Sequence, residues 1–313
     1  MAAIPTLRQL RYLVALDDHR HFGHAADACA ATQSTLSAGL QELEAILGAN
    51  LVERTKRRVL ITPLGQEVVA RARVLLRGAE ELVDIARSAA EPLSGEIRLG
   101  VIPTVGPYLL PRILPALRAA HPRLKLYLRE DLSARLLDLL GNGDLDVVLL
   151  ALPYRADEFE SHPLFEDPFL LAIPPGSPLD RPGPARPDDI PADELLLLEE
   201  GHCLRDHALA ACHLSGPLGK LSGRSDRMLA TSLMTLVQMV AGGLGITLLP
   251  RLALDGGVLA GTGLVTRSLG ADAPARSIGL TWRNASPRKP EFQLLGQEIL
   301  RAQSLRAAEA ALA

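Results

Sequence analysis

Apolar positions in the first ninety residues recur with helical spacing. Leu7, Leu10, Leu13, Val14 and Leu16 fall on one face, and Thr6 stands where an N-cap belongs. A short second helix fits His24–Cys29, where Ala25, Ala26 and Ala28 are small enough for close packing. The pattern then predicts a third helix over Gln33–Leu47, capped by Thr32. Its single apolar stripe is Leu36, Leu40, Leu43 and Leu47, and Gly48 is the stop signal. Leu51–Ile61 alternates poorly and reads as a two-stranded wing. Thr62-Pro63 supplies a cap and a first-turn proline for one long helix to Ala90. In it Val68, Leu75 and Leu82, and beside them Val69, Leu76 and Val83, recur every seven residues. About 28 residues of helix span roughly 42 Å. An apolar row with no sequence-local neighbour predicts pairing with a second copy; an ordinary core helix is the alternative.

Pro92-Leu93-Ser94-Gly95 breaks this helix, and strands then alternate with helices. Strands are expected over Glu96–Ile102, Leu124–Leu128, Asp146–Leu152, Phe169–Ile173, Leu195–Leu198, Gly245–Leu249 and Ser277–Trp282. Helices are expected over Thr104–Ala119, Ser133–Leu140, Arg205–Leu214, Thr231–Ala241 and Glu291–Leu312. The alternation predicts a mostly parallel sheet. The Pro-rich stretch Pro174–Pro191 is expected to be a surface loop. Some 220 residues of this kind, about one and a half ordinary domains, predict two subdomains around a cleft. The expected divisions are 1–62, 63–91 and 92–313, the last splitting into about 92–166 with 270–313, and about 167–269.

The 313 residues are 48% hydrophobic and 22% charged, which excludes wholesale disorder. No apolar run approaches the ~18–20 residues of a membrane span. No basic-then-apolar leader is visible, and three cysteines make no secreted disulfide framework. These features predict a cytoplasmic protein with no membrane association. The net charge of −3 does not announce nucleic-acid binding. Locally the picture changes: Arg54, Lys56, Arg57 and Arg58 cluster in the wing against Glu53.

Two short helices joined by a tight turn form a helix-turn-helix when the second enters a major groove. Here that helix begins behind Thr32 and offers Gln33, Ser34, Thr35, Ser37 and Gln41 to base edges or phosphates, with Gln suited to adenine. Arg54, Arg57 and Arg58 would hold phosphates beside it. Three small helices packed only for stability would show the same pattern.

The runs Phe22-Gly23-His24-Ala25-Ala26-Asp27, Gln33-Ser34-Thr35-Leu36-Ser37, Leu43-Glu44, Leu47-Gly48, Leu51, Glu53-Arg54 and Thr62-Pro63-Leu64-Gly65 resemble, in order and spacing, the winged helix-turn-helix of LysR-type regulators. The resemblance implies an α+β multidomain chain. It would have an N-terminal winged helix-turn-helix with a long dimerising linker helix. Behind it would lie a C-terminal α/β regulatory domain of two subdomains, built like a periplasmic binding protein. It also implies double-stranded DNA at promoter sites as the partner.

A second signal is Gly201-His202-Cys203-Leu204-Arg205-Asp206, with Cys212 nine residues after Cys203. A thiol attacks peroxide as thiolate, and a helix start with His202 and Arg205 nearby favours negative sulfur. The resulting sulfenic acid condenses with a second thiol to a disulfide. If Leu204–Leu214 is helical, the sulfurs sit about 13 Å apart along the axis, whereas a disulfide needs Cα atoms within about 7 Å. Oxidation would then have to rearrange the helix. Other readings remain open: two buried apolar cysteines; a zinc site of His202, Cys203, His207, Cys212 and His213, which lacks a C-x₂-C pair; or an enzyme nucleophile that turns over. Cys29 reads as structural, and His19, His21 and His24 as caps or phosphate contacts.

Within the LysR family this run, together with Ile102–Pro111, Ala230–Leu233 and Gly245–Pro250, is similar to the hydrogen-peroxide sensors. That resemblance implies a regulator rather than an enzyme, with Cys203 attacking peroxide and Cys212 resolving it. Thr104, Gly201, His202, Arg205, Asp206 and Arg276 would form a small polar pocket around Cys203. Ser133 would stand there where the family commonly has threonine. It implies a homo-oligomer, a dimer through the linker helix and a tetramer overall, with no cofactor and no metal. A LysR-type regulator responding to a small organic effector in the cleft, with incidental cysteines, is the alternative.

Overall fold

The computed structural model describes residues 4–54, 59–88, 92–154, 157–186, 189–212, 229–270 and 273–312. They group into two compact units, Met1–Ala90 and Glu91–Ala313.

The first unit is α1 (Leu7–His19), α2 (Phe22–Ala28), α3 (Gln33–Leu47), β1 (Val52–Arg54), β2 (Val59–Ile61) and α4 (Pro63–Ser88). Thr6 and Gln9 form a reciprocal capping box on α1, Thr32 accepts the Thr35 N–H on α3, and Gly48 ends α3 in the left-handed conformation. The His21 ring caps α2 by accepting from the N–H groups of Gly23 and His24. Helix α2 therefore starts two residues earlier than expected, and Cys29 is its C-cap, half-buried. Leu13, Leu16, Leu36, Leu40, Leu43 and Leu51 form the core, while Leu47 at the end of the expected stripe is exposed. The wing strands pair antiparallel, Val52 opposite Ile61. Gly65 lies so close beneath this wing that a Cβ there would stand 2.3 Å from the Leu51 carbonyl oxygen. The two heptad rows of α4 diverge only beyond their first positions, since Val68 and Val69 both pack on the unit's own core. Val69 and Ala72 are buried in the unit's own core and Leu76 packs against it, so that row has an intramolecular neighbour. Arg73 ties α4 to Asp17 and Asp18. Leu75 and Leu82 in the other row are 58% and 68% exposed.

The second unit contains β3 (Glu96–Val101), α5 (Gly106–Ala120), β4 (Lys125–Glu130), α6 (Ser133–Gly141), β5 (Val147–Leu152), β6 (Phe159–Ile173), β7 (Leu197–Leu198) and α7 (Cys203–Ala211). It continues with β8 (Leu229–Ala230), α8 (Leu233–Ala241), β9 (Thr247–Pro250), α9 (Arg251–Asp255), β10 (Val265–Ser268), β11 (Ala275–Arg283) and α10 (Lys289–Leu312). The main sheet has seven strands in the order β10-β6-β11-β5-β3-β4, with β9 also on β6. It is mixed, not mostly parallel. Only β3 pairs parallel there, with β4 and β5; β11 runs antiparallel to β5 and β6, and β9 and β10 antiparallel to β6. Strands β10 and β11 both run antiparallel to β6 and so follow one direction along it, β10 beside its second half and β11 beside its first. Strand β6 also changes partners: residues through Pro168 pair with β11, and from Phe169 onward with β9 and β10. Every position of β5 is buried, with Trp282, Phe292 and Phe169 filling the core. No helix of the described residues is long and apolar enough to cross a membrane.

Candidate functional site

In the first unit Gln33, Ser34, Thr35 and Gln41 are exposed on α3, and Ser37 is half-buried. Thr32 spends its hydroxyl on the α3 cap and contacts the Ser34 and Thr35 hydroxyls. Arg54 ends β1; Arg57 and Arg58 lie outside the described residues.

In the second unit, Gly201, His202, Cys203, Arg205 and Asp206 lie at the start of α7. Gly201 adopts a positive φ of 96°, a conformation open to glycine, and a Cβ there would meet the Leu132 side chain at 3.1 Å. This sets the Gly201 turn against the residue preceding Ser133, which is buried as the first residue of α6. His202 is the N-cap residue of α7 and is buried. Burial holds its imidazole below the ordinary histidine value, against the Glu199 charge and a hydrogen bond to the Thr231 backbone. Cys203, half-buried, is the first residue of the helix, where orphan N–H groups and the helix dipole favour negative charge. Arg205 turns back and donates to the Leu198 carbonyl oxygen at 3.2 Å, and Asp206 is exposed in the first turn.

Cys212 is the C-cap of the same helix, is buried, and is a free thiol like Cys203. Burial pushes its pKa up to about 11, so it is protonated at neutral pH and a poor nucleophile where it stands. Helix α7 begins at Cys203 rather than Arg205 and its described length ends at Ala211; Leu214 and His213 lie outside the described residues. Among the described residues no group of three or more His, Cys, Asp or Glu is placed to hold a metal ion.

Thr104 follows β3, the carboxyl end of a parallel strand, where ligands of open α/β sheets bind. It is buried and meets Arg276 directly: Nη1 donates to Thr104 Oγ1 at 2.8 Å, and Nη2 to the Thr104 carbonyl oxygen at 3.0 Å. One group escaped the sequence reading. Asp167 on β6 is buried and accepts from Arg276 Nε at 3.1 Å and Nη2 at 2.9 Å, and from the Leu252 N–H at 2.8 Å. Burial pushes its carboxyl up, with the Arg276 charge and the Leu252 bond pulling down. Three N–H donors converging on its oxygens describe an ionised carboxylate. A lone acid ahead of the apolar run Phe169–Ile173 was the available signal, since a buried carboxylate requires a partner. His207, one turn after Cys203, has a buried Nδ1 with no partner among the described residues. Burial first, and then the Arg276 charge, hold it below the ordinary histidine value, with Asp206 opposing. The charge of Arg276, which is bonded to Thr104, thus bears on His207 in the helix that carries both sulfurs.

Comparison with known proteins places both units. Residues 7–66 match the bacterial regulatory helix-turn-helix proteins of the lysR family, and residues 90–304 match the LysR substrate binding domain. The chain is 43% identical over 293 residues to the DNA-binding transcriptional dual regulator OxyR of Escherichia coli (strain K12), covering 94% of each chain. It is 41% identical over 296 residues to the HTH-type transcriptional regulator EstR of Acinetobacter baylyi, covering 94% of this chain and 96% of that one. Among solved structures it resembles a full-length OxyR variant of Pseudomonas aeruginosa, with a TM-score of 0.76, 34% identity and 95% of both chains covered. It also resembles a hydrogen-peroxide-bound OxyR mutant of Corynebacterium glutamicum, with a TM-score of 0.67, 33% identity, and 99% and 96% covered. A DNA-reading helix-turn-helix ahead of a substrate-binding-type domain, matched along nearly the whole length, makes this chain a member of the LysR family of bacterial transcriptional regulators.

Proposed function

We propose that this regulator senses hydrogen peroxide at Cys203 and reports it through a disulfide to Cys212. One observation carries the reading: two free thiols stand at opposite ends of one helix of nine residues. Over that span α7 holds the two Cα atoms about 13 Å apart, and a disulfide needs them within about 7 Å. Relatives named hydrogen peroxide-inducible genes activator support the choice of oxidant.

The Cys203 thiolate bonds to one peroxide oxygen and the O–O bond breaks. Sulfur is oxidised by two electrons, and the other oxygen leaves as hydroxide. The sulfenic acid then condenses with the Cys212 thiol, releasing water. Helix α7 must unwind for that second step. Unwinding brings the sulfurs together, and it also takes Cys212 out of the burial that keeps it protonated. Thr104, Ser133, Gly201, His202, Arg205, Asp206 and Arg276 form the polar surroundings of Cys203. The partner-switching strand β6 supports two subdomains, about 92–166 with 270–313 and about 167–269. The thiol chemistry is stoichiometric signalling in the cytoplasm, not turnover. Thr32, Gln33, Ser34, Thr35, Ser37 and Gln41, with Arg54, Arg57 and Arg58, read and hold promoter DNA. The exposed row Leu75 and Leu82 supports dimerisation through α4, within a tetramer.

The test is mass spectrometry of the Cys203–Cys212 peptide after one equivalent of peroxide, with DNA footprinting of Cys212→Ser. The reading expects the disulfide in the wild type and a footprint in Cys212→Ser that peroxide no longer changes. Thiols that survive the dose would favour an organic effector instead. A full footprint change in Cys212→Ser would sink the disulfide.

A further inference from the structure

We infer that Asp167 is a positioning residue for the peroxide reaction, acting through Arg276 to fix the direction of the Thr104 hydroxyl; this rests on the peroxide reading of Cys203. A threonine hydroxyl has one hydrogen to donate and two lone pairs to accept with. Arg276 Nη1 donates to Thr104 Oγ1, so the hydroxyl is an acceptor toward the guanidinium. Its own hydrogen must point elsewhere, and among the described residues it finds no acceptor. A buried hydroxyl with an unspent hydrogen marks a place for an incoming oxygen. Peroxide needs such a donor: when the O–O bond breaks, charge develops on the departing oxygen, and a prealigned O–H stabilises it.

The direction of that hydrogen depends on the guanidinium's orientation, which Asp167 sets. Asp167 Oδ2 accepts from Nε and Nη2, leaving Nη1 aimed at Thr104, while Oδ1 is pinned by the Leu252 N–H. Asp167, Arg276 and Thr104 are all at most 2% exposed, so these bonds are shielded from bulk solvent. Without the carboxylate the guanidinium is free to turn, and the hydroxyl hydrogen could then spend itself on protein.

The experiment measures the second-order rate of Cys203 oxidation by peroxide in the full chain, in the Cys212→Ser background. Beside it runs the rate of the same thiol with an aromatic disulfide, whose leaving thiolate requires no proton. Asp167→Asn is expected to slow peroxide on the order of ten- to a hundredfold, leaving the disulfide reaction within about twofold of wild type. In a Thr104→Val background, Asp167→Asn is expected to add no further loss. Since Asp167→Asn strands a buried charge, Asp167→Asn with Arg276→Met, which removes that charge, is measured alongside. It should melt near the wild type and stay slow toward peroxide. Equal loss with both oxidants, additive loss with Thr104→Val, or a peroxide-competent double variant would each overturn the inference. A wild type no faster with peroxide than a free cysteine would instead overturn the peroxide reading itself.

Discussion

At the scale of single residues, what matters is how little freedom the polar groups around α7 have. His202 and His207 both titrate below the ordinary histidine value, chiefly because burial disfavours the imidazolium. A folded pKa below the unfolded one gives stability that is complete above the unfolded value, near 6.5. That stability is lost as pH falls through the folded values. The regulatory unit is therefore expected to melt at lower temperature at pH 5.5 than at pH 7.5. His207→Gln, which titrates nothing, should flatten that difference. Melting curves at the two pH values, wild type against variant, check this, and an unchanged difference in His207→Gln would refute it.

At the scale of elements, α7 is the part that the proposed disulfide would make give way. It has nine residues, shorter than the ~12–15 at which an isolated helix becomes even marginal in water. What holds it is the packing of Leu204, Ala208 and Ala211 into the core. Ala210 is exposed near its end, so substitution there changes helix propensity without changing that packing. Ala210→Gly should weaken α7 by up to about 1 kcal/mol. If unwinding precedes the disulfide as a rapid equilibrium, closure of the Cys203–Cys212 bond should quicken up to about fivefold. Attack of peroxide on Cys203 should not change. Stopped-flow mixing with separate readouts of sulfenic acid and disulfide tests both halves, and a slower closure would contradict the unwinding step.

At the scale of the whole molecule, α4 is the element with apolar side chains to spare. Val69 and Ala72 are satisfied within their own unit, whereas Leu75 and Leu82 are not. Burying a leucine contributes about 1.5–3 kcal/mol, and a symmetric interface counts each position twice. Leu75→Glu with Leu82→Glu is expected to dissociate the proposed oligomer in sedimentation velocity. It should also weaken promoter binding far more than binding to a single half-site. Retention of the full assembly would show that α4 is not the dimer helix.

The sequence by itself determined the local structure: the capped helices α1 and α3, the wing, the long helix behind Pro63, and the helix that starts at the Gly201-His202-Cys203 run. Each follows from short-range physics, a cap or a repeat legible within a few residues. Cys203, Cys212, Thr104 and Arg276 could be named as site candidates from residue chemistry and family resemblance. Tertiary structure decided what depends on distant segments meeting. The antiparallel pairing of β9, β10 and β11 with the long β6 joins segments far apart in the chain. The Asp167–Arg276–Thr104 chain joins residues 109 and 172 positions apart in sequence, and no local pattern encodes which buried acid meets which buried base. The fate of the α4 rows was settled the same way, because heptad spacing states that a face is apolar and only packing states what covers it.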